Sequence, residues 1–227
     1  MKKILIVSKL PIWSMQKNRG SKSIQQTLVG YAKNGYEVHY LTSSNASSCD
    51  IDDAVITVQN FRLPLKNLKS DRRLIKLLIL KLQVVFFYIF GIINTLKYAK
   101  LIEPDVLYGF EVHGAFVTSI TSRILNIPNI NRFMGTILAN KLDSGLNRIL
   151  YFDHFLGLKA RARMRIMTND GTKGDEVLKR LNSYDSNTLF LLNGVDVKSL
   201  DGYPSADDIR NSFGISKDKI VFLTVSR

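Results

Sequence analysis

The chain has 227 residues, of which 45% are hydrophobic. This is enough for one complete domain with its own buried core and a short part of a second domain. A single cysteine, Cys49, and three scattered histidines exclude an internal disulfide and predict no metal site. The formal net charge of +13 favours anionic partners such as nucleic acid, anionic lipid or a phosphorylated substrate, without deciding among them.

The chain opens with a predicted strand, helix and strand. Residues 3–8 form a short apolar run typical of a buried parallel strand, and residues 23–34 begin with the Ser-x-x-Gln spacing of a helix start. No signal peptide is recognisable before this unit, so we expect a cytoplasmic protein. A second strand is predicted at residues 38–42 and a third at residues 53–58.

The longest predicted helical region, residues 72–100, is densely apolar. Its most apolar part, residues 84–93, is about half the length that a membrane-spanning helix needs, so we expect a buried or interfacial helix. Further strands and helices then alternate, which predicts a doubly wound, Rossmann-like parallel sheet. The later strands are expected at residues 106–110, 129–133, 165–168 and 188–192, and the later helices at residues 115–125, 141–163 and 172–181, the last with Thr172 as its cap.

The end of the chain differs from the part before it. A polar stretch is followed by a short predicted helix at residues 207–213, and an apolar strand restarts at residues 220–225. We therefore predict an N-terminal domain over residues 1–198, a linker over residues 199–219, and the first strand of a second domain over residues 220–227.

The loops after strands are the first places to look for a site, because an open α/β sheet binds ligands outside the carboxyl ends of its strands. The loop at residues 9–22 has Gly20 but not the Gly-x-Gly-x-x-Gly of dinucleotide-binding enzymes, which disfavours a dehydrogenase. Residues 19–22 precede a helix, whose free amides and dipole favour a phosphate. A plain loop glycine explains the same residues.

Six short motifs occur in an order that resembles glycosyltransferase family 4. Each is weak alone, but their order over nearly the whole chain is specific. They are the first strand with its glycine-bearing loop, Asn34-Gly35-Tyr36-Glu37-Val38, Glu103-Pro104-Asp105-Val106, Asn126-Ile127-Pro128, Asn193-Gly194-Val195-Asp196, and Phe213-Gly214-Ile215 ahead of the strand that begins at Ile220.

The resemblance implies the GT-B fold, in which a first Rossmann-like domain binds mainly the acceptor and a second grips a nucleotide-diphosphate sugar. It implies a retaining, hexosyltransferase-type enzyme without a cofactor, acting on a glycan or lipid-linked acceptor in polysaccharide or cell-envelope synthesis. It also places the family's Lys/Arg pair and Glu-x7-Glu motif, which hold the donor, beyond Arg227. This chain, interpreted as a truncated N-terminal part, is therefore expected to be inactive alone.

The acceptor-side site is predicted at the same strand ends, and we expect its loops to converge. Glu111 and His113 are candidate catalytic residues, although a capping or merely buried role explains His113 equally well. Met134 stands where many family members have a sugar-contacting histidine. The predicted substrate-binding residues are Gly20, Ser21, Lys22, Arg132, Gly135 and Thr136.

Basic residues gather at residues 62–81 and 159–165, which predicts one or two basic faces. The first stretch leads into the apolar helix that carries Phe86, Phe87, Tyr88 and Phe90, and predicts reversible docking on an anionic membrane. Solvated cations on a helix that simply covers the sheet are the competing interpretation. A basic membrane-surface or nucleic-acid-binding module without catalysis is the alternative function. The basic stretches lack interleaved aromatic residues, which disfavours nucleic acid.

Overall fold

The computed structural model describes residues 1–9, 22–43, 49–51, 54–192 and 204–222, and at residues 22, 23, 49–51 and 54 it describes the backbone alone. The chain forms two compact units, Met1–Asn193 and Gly194–Arg227. The predicted site residues Gly20 and Ser21 and the turn at Asn193 lie outside the described residues.

The first unit is built on one twisted sheet in the order β3-β4-β2-β1-β5-β6-β7-β8. All of its strands run parallel except β3, which pairs antiparallel with β4 at the edge and was not predicted. The strands are β1 (Lys2–Ser8), β2 (Tyr36–Thr42), β3 (Cys49–Ile51), β4 (Ala54–Asn60), β5 (Val106–Phe110), β6 (Asn129–Phe133), β7 (Met164–Thr168) and β8 (Thr188–Leu191).

Helices connect these strands and cover both faces of the sheet. In the first unit they are α1 (Lys22–Lys33), α2 (Arg73–Ile102), α3 (Glu111–Leu125), α4 (Gly145–Leu150), α5 (Phe152–Lys159) and α6 (Gly174–Arg180). On one face, α1 packs over alternate residues of the central strands such as Ile4, Ile6 and Tyr108. On the other face, α2 and α3 cover the residues between them, such as Leu5 and Val7. The predicted Rossmann-like, doubly wound fold is therefore confirmed.

Four predicted helix boundaries were wrong. Helix α3 begins at Glu111, four residues before the predicted start at residue 115. Helix α1 begins at Lys22, so Ser23 lies inside it rather than capping it. The single helix predicted at residues 141–163 is two helices, because Ser144 caps α4 and the backbone leaves helical geometry at Tyr151. Helix α6 begins at Gly174 with Lys173 as its N-cap, since the Thr172 side chain is engaged elsewhere.

Helix α2 has 30 residues and is, among the described residues, the one helix long and apolar enough to cross a membrane. It has a mean hydropathy of 2.1 over its most apolar 18-residue window, of which 28% is buried. The apolar stretch is therefore longer than the residues 84–93 expected from the sequence. Its carboxyl half packs on the sheet, whereas its amino half is mostly exposed.

The second unit contains a short helix, α7 (Ala206–Ser212). Ser205 and Asp208 form a reciprocal capping box at its start, which satisfies two amide groups that the helix itself leaves free. Residues 220–222 are described without strand structure, and the rest of the strand predicted at residues 220–225 lies outside the described residues.

Candidate functional site

The sheet has a topological switch point between β1 and β5. From β1 the chain builds outward through β2 and β4, and from β5 it builds outward in the opposite direction through β6, β7 and β8. Connections that diverge in this way leave a crevice at the carboxyl ends of the two central strands, where doubly wound folds bind ligands. Lys9 directly follows β1 at this crevice, and Glu111 directly follows β5.

Glu111 is held in a strained and largely buried position. Its φ of 61° lies in the left-handed region, which a residue with a side chain rarely adopts and which is common at functional sites. Its carboxylate accepts a hydrogen bond from the Met134 backbone N–H at 3.1 Å. The side chain therefore ties the end of β5 to the loop that follows β6.

Burial is the main cause that raises the pKa of Glu111, to about 7. The hydrogen bond from Met134 and the charge of Arg132 act against this shift, and the charge of Asp170 adds to it. A carboxyl with this pKa is partly ionised near neutral pH, so it can either accept or donate a proton. This property makes Glu111 the strongest candidate for a chemical role in the crevice.

Arg132, near the end of β6, lies on the α1 side of the crevice. Its Nη1 donates a hydrogen bond to Thr27 Oγ1 at 2.6 Å. Its positive charge acts on Glu111 and also on the buried Tyr108. Arg132 therefore lies near Glu111, but one of its donors is already occupied by α1.

Gly135 and Thr136 bring the loop after β6 against the loop after β7. Gly135 has a φ of 141°, which favours glycine strongly, and a Cβ there would collide with the Asp170 carboxylate. The Thr136 N–H donates to Thr172 Oγ1 at 2.9 Å, and that hydroxyl donates to Asp170 Oδ1 at 2.6 Å. The two loops thus converge at the same edge as Glu111.

His113 belongs to a separate polar cluster beneath α2. Its Nε2 lies 3.3 Å from Asp153 Oδ2, out of line for a hydrogen bond, and Lys81 Nζ donates to Asp153 Oδ1 at 2.9 Å. Burial lowers the pKa of His113, which favours the neutral ring. Burial also lowers the pKa of Lys9, on which the charges of Asp153 and Lys81 act in opposite directions.

The cluster of Lys9, Lys81, His113 and Asp153 can attract an anion. With the imidazole neutral, it has two ammonium groups and one carboxylate, an excess of positive charge beside the crevice. His113 itself packs near the rings of Phe87 and Tyr88, with ring centroids about 6 Å away. A positioning role inside the cluster fits His113 better than direct contact with a substrate.

The predicted residues on the first loop cannot all be placed. Gly20 and Ser21 lie outside the described residues, and Lys22 is described only as the first backbone position of α1. Because α1 follows β1, its amino end lies at the carboxyl edge of the sheet. A groove of about 450 Å³, lined in part by Ser43 and Asn60, lies further along this edge at the ends of β2 and β4.

Two charged residues of the site, Asp153 and Lys81, could not be predicted from the sequence. Asp153 and Lys81 are 72 positions apart, and nothing in either local pattern pairs them. The spacing of Asp153 with Gly157 and Leu158 could have indicated that its carboxylate is buried, since these three residues share the buried face of α5. The sequence leaves Asp170 open between a ligand contact and a turn residue, and its Oδ1 does accept the Thr172 N–H at 3.1 Å. Among the described residues, no three His, Cys, Asp or Glu side chains are placed to hold a metal ion.

No protein-family model matches this sequence. No curated protein matches it either.

Solved structures do match its fold. The chain resembles sucrose-phosphate synthase from Thermosynechococcus elongatus at 13% identity and a TM-score of 0.59, covering 96% of this chain and 54% of that one. It resembles Anabaena Alr3699/HepE in complex with UDP at 13% identity and a TM-score of 0.52, covering 94% and 50%. It resembles Phytolacca americana UGT2, complexed with UDP-2-fluoro-glucose and pterostilbene, at 10% identity and a TM-score of 0.55, covering 88% and 55%.

The chain spans about half the length of these solved proteins. At such low identity the likeness shows the fold alone. The described sheet and helices therefore have the Rossmann-like fold of GT-B glycosyltransferases.

Proposed function

We propose that this chain is the acceptor-side part of a retaining glycosyltransferase related to family 4. It would help to move a hexose from a nucleotide-diphosphate donor to a glycan or lipid-linked acceptor. The observation that carries the proposal is the topological switch point between β1 and β5, beside which the loops that carry Glu111, Gly135 and Thr136 converge. The fold and the order of the sequence motifs support it.

The comparisons support the class of donor. Among proteins with this fold, Alr3699/HepE was solved with UDP, and UGT2 with UDP-2-fluoro-glucose and an acceptor, pterostilbene. We infer that this chain works with a second domain that grips the nucleotide sugar, and that it transfers no sugar alone. We further infer that the protein works in the cytoplasm, on polysaccharide or cell-envelope glycans.

The geometry suggests a division of roles in the crevice. In transfer, the acceptor oxygen bonds to the anomeric carbon while the bond to the diphosphate breaks, and the hydroxyl proton passes to a base. Glu111, with its pKa raised to about 7, can accept a hydrogen bond from that hydroxyl and take its proton as the base. Gly135 lets the Asp170 carboxylate approach the backbone of the loop after β6. The excess positive charge near Lys9 and Lys81 suits a phosphate on the acceptor.

A transfer assay tests this proposal. The complete natural protein that contains these residues is incubated with UDP-, GDP- and ADP-sugars labelled in the sugar, with and without a glycan and glycolipid fraction. We expect acceptor-dependent incorporation of label, with release of an equal amount of nucleoside diphosphate. We also expect the product to retain the anomeric configuration, measured by NMR.

Glu103 offers a matched control for Glu111. It also has a left-handed backbone, with φ 51°, but it is exposed at the amino edge of the sheet. Glu111→Gln should lower kcat by about 100-fold, within the range for general acid-base groups, and Glu103→Gln should not. Lack of transfer from every donor, or equal effects of the two variants, would contradict the proposal. An inverted product would overturn the family 4 mechanism alone.

A further inference from the structure

The amino half of α2 exposes aliphatic side chains around most of its circumference. Leu74 is 81% exposed and Leu78 is 59% exposed, and among residues 74–82 only Ile79 is buried. Seven large aliphatic residues between positions 74 and 85 are exposed: Leu74, Ile75, Leu77, Leu78, Leu80, Leu82 and Val85. A continuous apolar surface of this kind marks an interaction site in a folded protein.

The carboxyl half of α2 is fixed to the domain. Phe87 packs against Phe61 at 5.7 Å between ring centroids, and Tyr88 packs against Phe116 at 4.5 Å. Two of the four aromatic residues named on this helix, Phe87 and Tyr88, therefore point into the core. The exposed surface is aliphatic instead, and lies closer to the start of the helix.

This packing limits what the exposed half can do. Residues 74–85 extend for about 18 Å at the α-helical rise of about 1.5 Å per residue, whereas a bilayer core is about 30 Å thick. The rest of the helix would have to leave the domain core before α2 could span a membrane. An orientation in the plane of the membrane surface leaves the fold intact.

The charges around this apolar surface have one sign. Residues 61–102 contain nine lysines and arginines but a single acidic residue, Asp71. Four exposed cations precede the exposed aliphatic residues in the chain or lie among them: Lys69, Arg72, Arg73 and Lys76. A second copy of a chain with a net charge of +13 would be repelled here, whereas anionic lipid headgroups would be attracted.

We propose that the amino half of α2 and the residues before it form a docking surface for an anionic membrane. The aliphatic side chains enter the boundary between headgroups and acyl chains, and the surrounding cations bind lipid phosphates. This inference does not depend on the proposed sugar transfer, because it rests on the exposure and charge of one helix.

Vesicle co-sedimentation of the 227-residue chain tests the proposal. The vesicles are phosphatidylcholine with or without phosphatidylglycerol, at low and high salt. We expect binding only with phosphatidylglycerol, and weaker binding at high salt because the surface charges are screened. Circular dichroism melting of every variant verifies that it is folded.

The apolar contribution is tested by Leu74→Gln with Leu78→Gln. Removing two leucines from the lipid boundary should weaken partitioning on the order of 100-fold. The control is Leu146→Gln with Ile149→Gln, since these two α4 residues are 65% and 72% exposed outside the proposed surface. The control should bind vesicles as the wild type does.

The charge contribution is tested by Arg72→Gln, Arg73→Gln and Lys76→Gln together. A loss of about fivefold per cation predicts weakening on the order of 100-fold. The control removes three exposed cations remote from the surface, Lys97, Lys100 and Arg123. Equal losses in test and control variants, or equal binding to neutral vesicles, would overturn the proposal. Absence of binding to any vesicle would also overturn the proposal. Analytical ultracentrifugation would then show whether the leucine surface forms a dimer instead.

Discussion

Glu111→Gln should stabilise the protein in a pH-dependent manner. The variant keeps an oxygen that can accept the Met134 N–H but removes a carboxyl whose pKa is raised from 4.5 to about 7, mainly by burial. The folded state holds this proton more tightly than the unfolded state does. The stabilisation that comes from the protonated carboxyl is therefore fully present below the unfolded pKa, and it is lost as the pH rises through the folded pKa. At about 1.4 kcal/mol per pH unit, ionising Glu111 costs the folded state roughly 3 kcal/mol.

Urea unfolding followed by circular dichroism measures this effect. The free energy of unfolding of the variant, minus that of the wild type, should rise by roughly 3 kcal/mol between about pH 4 and about pH 8. Other titrating groups are present in both proteins, so their contributions cancel to a first approximation in the difference. If the difference in unfolding free energy between the variant and the wild type stays constant with pH, the raised pKa assigned to the buried Glu111 is refuted.

Three further substitutions test the surroundings of the crevice by the same unfolding measurement. Gly135→Ala should destabilise the fold by about 1–3 kcal/mol, because alanine rarely adopts the backbone conformation of Gly135. Gly145→Ala is the control and should not destabilise the fold, because the space around Gly145 is open. Equal losses of unfolding free energy in the two variants would contradict backbone strain at position 135. Asp153→Asn should cost about 3 kcal/mol by leaving Lys81 unpaired. Burial opposes the low pKa of Asp153, but the hydrogen bond from Lys81 and the neighbouring positive charges outweigh it. The free energy of unfolding that the variant loses relative to the wild type should therefore shrink below pH 3.8, and a loss that stays constant with pH would exclude ionisation as its cause. Thr172→Val should cost about 1–2 kcal/mol by removing the partly buried hydrogen bond from the Thr136 N–H to the Thr172 hydroxyl, and an unchanged urea midpoint would show that the two loops are held together by other contacts.

The parallel core could be predicted because its strands are continuous apolar runs. Residues Ile4 to Val7 are fully buried, as such a run requires when both faces of the sheet are covered. Strand β3 was missed since its three residues, including Cys49 and Asp50, are too few to show a period. The apolar character of α2 was visible, but which of its residues are exposed depends on the distant partners Phe61 and Phe116.

The candidate site was predictable only as far as strand order allowed. Glu111 follows a strand, so its place at the carboxyl edge came from topology alone. Its raised pKa depends on burial and on Arg132 and Asp170, which the sequence does not place beside it. The His113 cluster depends on Asp153 and Lys81, which only the packing of α2, α3 and α5 brings together.

The central claim is that the carboxyl edge of this sheet is the acceptor side of a sugar transferase. Amide hydrogen exchange of the complete natural protein, measured by mass spectrometry with and without the acceptor fraction that supports transfer, tests it most directly. The account predicts slower exchange in the segments around Glu111, Gly135 and Asp170, with no change at the amino edge around Glu103 and Asn126. Protection confined to the amino edge, or absent from the carboxyl edge while the acceptor is bound, would contradict it.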